Sequence, residues 1–462
     1  MKNLYEDVGF LDRRCYELYR LNEDILMEHA ASALTKCIKR KNPKSVLIVA
    51  GPGNNGGDGV AAARQLLGEC EVNLVMPLGA KSEMCKMELE RFLACGGELG
   101  DDIKECDVVV DAIFGSGLKK ALSEELVKIV TRLNGFDSFK IACDIPTGLN
   151  HKGIPSPIAF IADVTVTMGA LKLALYSDAA KDCVGEVEVA TLGVSRELYE
   201  MQSEYKLLES DDLNPPHRTR QNVNKGDFGH LAVIAGEKEG AAVMAALSAL
   251  RFGAGLVTVV RNEPFIAPYE LMHSNSLPPK CTALAVGMGL GMEYSDDEFK
   301  ELVLGCEKPM VIDADLFYSQ KILELLNRKN IVLTPHPKEF ASLLKITSIG
   351  DFGVDEIQSD RVGFALMFSK KYPDTVLLLK GANPIVAKDK NIYINPLGTP
   401  ALAKGGSGDV LTGLIGALLA QGYNPLDAAI NGTLAHALAS RMVDVDDFAL
   451  TPSDLIEAVA RI

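Results

Sequence analysis

Three stretches in the first half of the chain set amide and carboxylate side chains inside glycine-rich turns. Residues 51–59 read GPGNNGGDG, residues 110–118 read VDAIFGSGL and residues 144–149 read DIPTGL. Each follows an apolar run of strand length. Such a turn lets the backbone approach a phosphate closely and aims free N–H groups at it. Asn54 and Asn55 add carbonyl oxygens, and Asp58 adds a carboxylate, all hard ligands of the kind an alkali or alkaline-earth cation takes. The first stretch is neither GxGxxG nor Walker A, since no GK[ST] follows it. Asp111 or Asp144 alone could cap a helix or a turn. Together with the Asn-Gly turn, at three ends of one parallel sheet, they point to a site for an anion and a cation.

The second half carries AKGGSGDVLTG at 403–413, opening a long apolar helix. A glycine-rich loop at a helix N-terminus favours a phosphoryl group through its N–H groups and the helix dipole. An aspartate that only capped the helix would repel that phosphate. Asp409 makes sense as a base acting on a hydroxyl while the N–H groups stabilise the transferring phosphoryl. Other predicted strand ends fit a cleft: His336 in TPHPKE, Lys380 to Asn383, and the backbone-approach loop Gly287 to Gly291. Asp313 and Asp315 also end a strand, and either serve Mg2+ or cap the next helix.

These residues need a frame. Apolar runs predict strands at 45–50, 72–76, 107–111, 140–144, 163–168 and 186–190, with helices at 12–40, 58–68 and 82–95. The polar stretch 203–228, which contains Pro215 and Pro216, shows no apolar period and reads as a junction. Beyond it strands are predicted at 230–235, 256–260, 283–286, 310–313, 331–334, 375–379, 384–387 and 391–394, then helices at 408–421 and 425–441. The alternation predicts two α/β domains, residues 1–208 and 209–462, with mostly parallel sheets covered by helices on both faces.

Composition narrows the function classes. A net charge of −15 without a basic stripe excludes nucleic acid as a partner. The basic run at 36–41 reads as the solvated end of a helix. No run of about 18 apolar residues predicts a membrane span. The ten cysteines lie singly, with no CxxC pair, and the first residues carry no apolar leader. Reduced thiols in the cytoplasm are therefore expected, not a disulfide frame or a zinc site.

The motifs also resemble a family. LMEHAA at 26–31, GPGNNGGDG, VDAIFGSGL and DIPTGL resemble the epimerase domain of the NAD(P)H-hydrate repair enzymes. NKGDFGHLAVIAG at 224–236, GMGLG, VIDAD, LTPHPKEF, LLLKGAN and AKGGSGDVLTG resemble their dehydratase domain, in the same order. The resemblance implies a Rossmann-like three-layer αβα domain followed by a ribokinase-like α/β domain. For the first it implies K+ ligation by Asn55, Asp111 and Thr147, with Asp144 as acid/base. Substrate contacts are implied at Asn54, Asn55, Gly56, Gly57, Asp58, Gly115, Ser116, Gly117, Leu118, Lys119, Lys120, Ala121 and Asp144. For the second it implies substrate contacts at Ala254, Gly289, His336 and Asp409, with Asp409 catalytic. Nucleotide contacts are implied at Lys380, Gly381, Ala382, Asn383, Pro384 and Gly408. The implied substrates are hydrated NADH and NADPH, with ADP or ATP as co-substrate, Mg2+ and K+ as cofactors, and no membrane partner. A homo-oligomer is expected. The chain departs from the family pattern at His29, Glu237 and Pro384.

Overall fold

A computed structural model describes residues 1–118, 120–263, 267–291 and 294–462. The chain divides into two compact units, Lys2–Tyr205 and Lys206–Ile462, the latter also taking in Met1.

The N-terminal unit is built on six strands: β1 (Ser45–Ala50), β2 (Glu71–Val75), β3 (Val108–Ala112), β4 (Phe139–Cys143), β5 (Val164–Met168) and β6 (Glu186–Ala190). Their order is β2-β1-β3-β4-β5-β6, all parallel. Strand residues alternate between two cores. Val46, Ile48 and Ala50 face a cluster with Leu34 and Leu66, while Leu47 and Val49 face one with Leu126, Val130 and Leu133. A sheet buried on both faces needs apolar residues at successive positions, and this is why the central strand β1 and most of β3 were legible as apolar runs. The three-layer αβα expectation therefore holds. The helices are α1 (Gly9–Tyr19), α2 (Glu23–Lys39), α3 (Asn54–Leu66), α4 (Glu83–Ala94) and α5 (Glu124–Asn134). The single helix expected over 12–40 is two, because Arg20 ends the first in the left-handed region at φ 59°. The helix expected from 58 starts at Asn54, so the Asn-Gly stretch is itself its first turn.

The C-terminal unit has β7 (His230–Ile234), β8 (Leu256–Val260), β9 (Met272–Ser274), β10 (Ala283–Val286), β11 (Met310–Ile312), β12 (Ile331–Leu333), β13 (Val376–Leu379), β14 (Ile385–Lys388) and β15 (Asn391–Ile394). These run in the order β15-β14-β13-β12-β11-β10-β7-β8-β9. The set from β13 to β9 is parallel, and β13, β14 and β15 form an antiparallel edge. β9 was not expected from the sequence. Helices α6 (Glu239–Arg251), α7 (Pro337–Ile346), α8 (Arg361–Lys371), α9 (Ser407–Ala420) and α10 (Pro425–Met442) complete the frame. α9 is buried along nearly its whole length, as an all-apolar helix must be. It lies so close to α6 that a Cβ on Gly413 would stand 2.0 Å from the Ala245 carbonyl oxygen. The Ser248 hydroxyl donates to the Val410 carbonyl oxygen at 2.9 Å, which fixes the register of the two helices. No helix among the described residues is long and apolar enough to cross a membrane. All ten cysteines are free thiols.

Candidate active sites

In the N-terminal unit the strand order reverses between β1 and β3. The loops that leave their carboxyl ends on either side of such a point form the ligand crevice of an open parallel sheet. GPGNNGGDG leaves β1, VDAIFGSGL contains the end of β3 and DIPTGL leaves β4. The first two loops interlock: a Cβ on Gly51 would stand 1.8 Å from the Ile113 carbonyl oxygen, whereas Gly53 faces open space. Several of the glycines thus answer to packing between loops, and the room for a ligand lies around Gly53.

Hydrogen bonds tie the second loop to the third. Asp111 is fully buried. It accepts from the Thr147 amide and hydroxyl, both at 2.7 Å, and from the Ile113 amide at 3.2 Å. The Phe114 amide donates to the Thr147 hydroxyl at 2.9 Å. Burial pushes the Asp111 carboxyl up to about 6, against the opposing pull of the Thr147 hydrogen bonds. Beside this pair, the side-chain oxygen and nitrogen of Asn55 are buried and have no hydrogen-bond partner among the described residues. A buried amide oxygen left unpaired is costly. A cation taking oxygen ligands would satisfy it, so Asn55, Asp111 and Thr147 fit K+ by the chemistry of their donors.

Asp144 holds a left-handed backbone at φ 70°, uncommon for a residue with a side chain. Its Oδ1 accepts from the Met168 amide at 3.1 Å and the Thr167 hydroxyl at 3.3 Å, and its Oδ2 from the Ser116 amide at 3.2 Å. Gly115 passes directly over it: a Cβ there would stand 2.6 Å from Asp144 Oδ2 and 3.0 Å from Asn55 Oδ1. Asp58 is nearly buried, and burial together with the charge of Asp144 pushes its carboxyl well above the usual range. The residue that sequence reasoning missed is Lys172, 1% exposed, with its Nζ 2.6 Å from Asp144 Oδ1. The one available signal was a lone lysine in the apolar run MGALKLAL at 168–175.

The remaining expected contacts are spread along the same edge. Asn54 is exposed and donates to Glu23 Oε1 at 2.6 Å. Gly56 and Gly57 are buried in the first turn of α3. Ser116, Gly117, Lys120 and Ala121 are exposed, while Leu118 packs into the core. Lys119 lies outside the described residues.

In the C-terminal unit the order reverses between β7 and β10, and again the loops beyond the carboxyl ends gather the polar residues. Asp409 stands in the first turn of α9. Burial, then the charge of Asp313, pushes its carboxyl up to about 6. Asp313 accepts from Lys380 Nζ and from the Thr412 hydroxyl, each at 2.8 Å. Each of its oxygens is therefore engaged by one side-chain donor and keeps a further lone pair. Asp315 is engaged by the Gly291 amide at 2.9 Å. Gly408 lies against this group, its Cβ position 3.4 Å from Lys380 Nζ. The buried guanidinium of Arg361 donates to the carbonyl oxygens of Leu379, Lys380 and Asn383, shaping the loop that runs from Lys380 through Gly381 and Ala382 to Pro384.

His336 caps α7: its Nδ1 accepts from the Lys338 and Glu339 amides at 3.1 and 3.3 Å, and its Nε2 lies 3.1 Å from Glu339 Oε1. Because Nδ1 accepts, Nε2 carries the ring's N–H, and burial, then the nearby Lys380 cation, lowers the ring's pKa. Gly289, at φ 59°, packs on the Lys238 carbonyl oxygen. Ala254 does not join this group. It precedes β8, whose Leu256 pairs with His230 at the amino edge of the sheet. Its neighbour Phe252 accepts from Gln421, just beyond the far end of α9. A helix of 14 residues sets that end about 20 Å from Asp409. The alanine beside Gly289 is Ala241, whose Cβ is 3.2 Å from the position of a Gly289 Cβ. Sequence reasoning also missed Thr412, which braces Asp313, Glu339, whose Oε2 lies 3.7 Å from Lys380 Nζ, and buried His436, whose Nε2 lies 3.0 Å from the Ser407 hydroxyl.

Comparison with known proteins covers the same ground. Residues 231–461 match the family model described as NAD(P)H-hydrate dehydratase, and residues 23–174 match that of the YjeF-related protein N-terminus. The chain is 44% identical over 477 residues to the bifunctional NAD(P)H-hydrate repair enzyme Nnr of Helicobacter pylori, covering all of both chains. It is 34% identical to the enzyme of that name from Escherichia coli, over 94% of this chain and 88% of the other. Among solved structures it resembles an ADP/ATP-dependent NAD(P)H-hydrate dehydratase from Bacillus subtilis, co-crystallised with ATP and Mg2+. There the identity is 27%, the TM-score 0.45, and the match covers 55% of this chain and 94% of the other.

Proposed function

The chain belongs to the family of bifunctional NAD(P)H-hydrate repair enzymes, and we propose that its N-terminal crevice carries the epimerase and its C-terminal crevice the dehydratase, with Asp144 and Asp409 moving the protons. The activities themselves are those of the family: NAD(P)H-hydrate epimerase and ADP/ATP-dependent NAD(P)H-hydrate dehydratase. The substrates are hydrated NADH and hydrated NADPH, each bearing a hydroxyl on the ring carbon next to the ring nitrogen.

The observation that carries the dehydratase assignment is Asp409 beside the N-terminus of α9, with Lys380 fixed by Asp313 within the same group. Asp409 accepts the proton of the ring hydroxyl as its oxygen attacks the terminal phosphoryl of ADP or ATP. The N–H groups of the first turn of α9, around Gly408, and Lys380 stabilise the charge on that phosphoryl. Phosphate then leaves as the ring loses a proton, which restores the double bond. Mg2+ accompanies the nucleotide through its phosphates, the usual way this cation is held. Gly289, Ala241 and the His336 Nε2–H line the substrate side. A site built for one hydroxyl face rejects the other epimer, which is why the first activity is needed.

In the N-terminal crevice the carbon that bears the hydroxyl also bears nitrogen, so either bond to it can open and reclose reversibly. Both routes need one group that takes a proton and returns it, and Asp144 Oδ2 faces the crevice for that role. Asn55, Asp111 and Thr147 would hold K+, which supplies positive charge against the substrate pyrophosphate. Replacement of Asn55 by Ala should move the K+ activation curve of the epimerase to higher concentration. The expected shift is on the order of 10–100-fold, a range reached even by partners outside the coordination sphere. An unmoved curve removes Asn55 from the cation site. The same reading carries a cytoplasmic location and a homo-oligomer, the latter checked by light scattering.

The primary test is the return of absorbance at 340 nm from mixed epimers with ADP or ATP. Recovery of both halves supports the assignment; a stop near half removes the epimerase. The pH dependence adds a second check. Asp409 must be ionised to accept a proton, and burial pushes its carboxyl up to about 6. With the S epimer alone, kcat/KM should be flat above about pH 7 and fall about tenfold per unit below about 6. A rate that holds at pH 5 would exclude Asp409 as the base.

A further inference from the structure

We propose that Lys172 is a positioning residue for epimerisation, holding the Asp144 carboxylate by one oxygen so that the other is presented to the substrate. The proposal rests on the reading of this crevice as the epimerase site. Three observations carry it.

First, the two oxygens of Asp144 are treated differently. Oδ1 meets three donors: Lys172 Nζ at 2.6 Å, the Met168 amide at 3.1 Å and the Thr167 hydroxyl at 3.3 Å. Oδ2 meets only the Ser116 amide, at 3.2 Å, among the described residues, and lies under Gly115 on the crevice side. One oxygen is anchored and one is left for chemistry.

Second, Lys172 is committed to this task. Its side chain is 2% exposed, and besides Asp144 its ammonium donates to the Met168 carbonyl oxygen at 2.9 Å and the Thr167 hydroxyl oxygen at 3.0 Å. Three N–H groups meet three acceptors. A buried ammonium is tolerated only when it is paired in this way. Third, Asp144 is held at φ 70°, a conformation that persists only when its surroundings over-determine it. The lysine and the strand residues Thr167 and Met168 are those surroundings.

The other charged or titratable groups around Asp144 are Asp58 on α3, Asp12 on α1, Cys143 on β4 and Tyr199. Two of these are further carboxyls, and Lys172 is the one cation set against them among the described residues at this point. Its loss therefore leaves the carboxylate loose and its charge unanswered.

The test follows conversion of the R epimer to the S epimer by chromatography, without nucleotide, in the full-length chain. It compares the wild type with K172M, K172R, D144N and the K172M/D144N double variant. In K172M, kcat is expected to fall on the order of 10²-fold, the lower end for an acid–base group, with KM little changed. K172R restores most of the rate, and the double variant is no slower than D144N, since both substitutions remove one device. Two results would overturn the proposal: a K172M chain with the wild-type rate, or fully additive losses. If K172M does not hold its fold, K172R decides alone, and a K172R chain as slow as D144N overturns the proposal. A wild type that epimerises no faster than buffer overturns the reading of the crevice and the proposal with it; a wild type that does, with K172M matching it, overturns the proposal alone.

Discussion

Asp409→Asn should leave a chain that still binds its nucleotide but barely returns hydrated coenzyme to the reduced form. Recovery at 340 nm from the S epimer is expected to fall by about 10²–10⁴-fold, the range for removal of a positioned base. The substitution preserves shape. The N-terminus of α9, the Lys380–Asp313 ion pair at 2.8 Å and the Thr412 hydroxyl that braces Asp313 all remain. Those groups serve the phosphoryl, so KM for ADP or ATP should stay within a few-fold while kcat collapses. That split separates a base from a binding group. The change also relieves a local conflict, because Asp409 is held in the field of Asp313. Loss of the charge should therefore leave the C-terminal unit at least as stable, and thermal unfolding can check this beside the kinetics. A D409N chain with the wild-type recovery rate would show that another group takes the proton. Glu339, buried and pushed up to about 7 by that burial, would then be the next candidate.

How far the molecule could be read from its sequence depends on which force sets each feature. The strands at 45–50, 256–260 and 283–286 coincide with expectation because parallel strands covered on both faces demand near-continuous apolar runs, whereas the edge strand at 186–190 showed itself by alternation, EVEVA. The dehydratase likeness of the second domain came from motifs, and the family match over 231–461 bears it out. The start of α3 was misplaced because five of its first six residues are Asn or Gly, all poor helix formers. Interlocking of the 51–53 and 113–115 backbones overrides that propensity, and no local pattern reports a tertiary contact. β9 escaped notice because Met272, His273 and Ser274 sit exposed or half-exposed on a sheet edge, with little apolar signal. Lys172 was invisible for the opposite reason: a lysine in an apolar run reads as a surface residue, and only the placing of β5 beside β4 turns it toward Asp144. Ala254 was assigned to the substrate by likeness of motif. Helix α6 leads away from the carboxyl edge, so residues beyond its end arrive at the amino edge, and a motif that spans this reversal contains residues from both ends of the sheet.

Asp144→Asn is expected to divide the two activities. With ADP or ATP and mixed epimers, the fast phase of recovery should keep its wild-type rate. The second phase should slow by about 10²–10⁴-fold, because an amide cannot take up and return a proton at Oδ2. Only the substrate epimer accepted by the Asp409 site would then be repaired. The substitution has a structural consequence that Asp409→Asn lacks. Lys172, 1% exposed, loses the carboxylate that compensates its charge and keeps only the Thr167 hydroxyl and the Met168 carbonyl oxygen. Stranding one member of a buried ion pair costs about 3–5 kcal/mol. The N-terminal unit should therefore unfold at lower denaturant while the C-terminal unit does not, giving a two-step transition in place of any coincident one. Adding Lys172→Met to Asp144→Asn removes the stranded cation and should return much of that stability without returning epimerase activity. If the double variant stays as unstable as the single one, the ammonium was never the source of the loss. If D144N repairs both epimers at the wild-type rate, the proton passes through another group in the crevice, and Asp58, a buried carboxyl that burial and then the charge of Asp144 raise well above the usual range, is the next candidate.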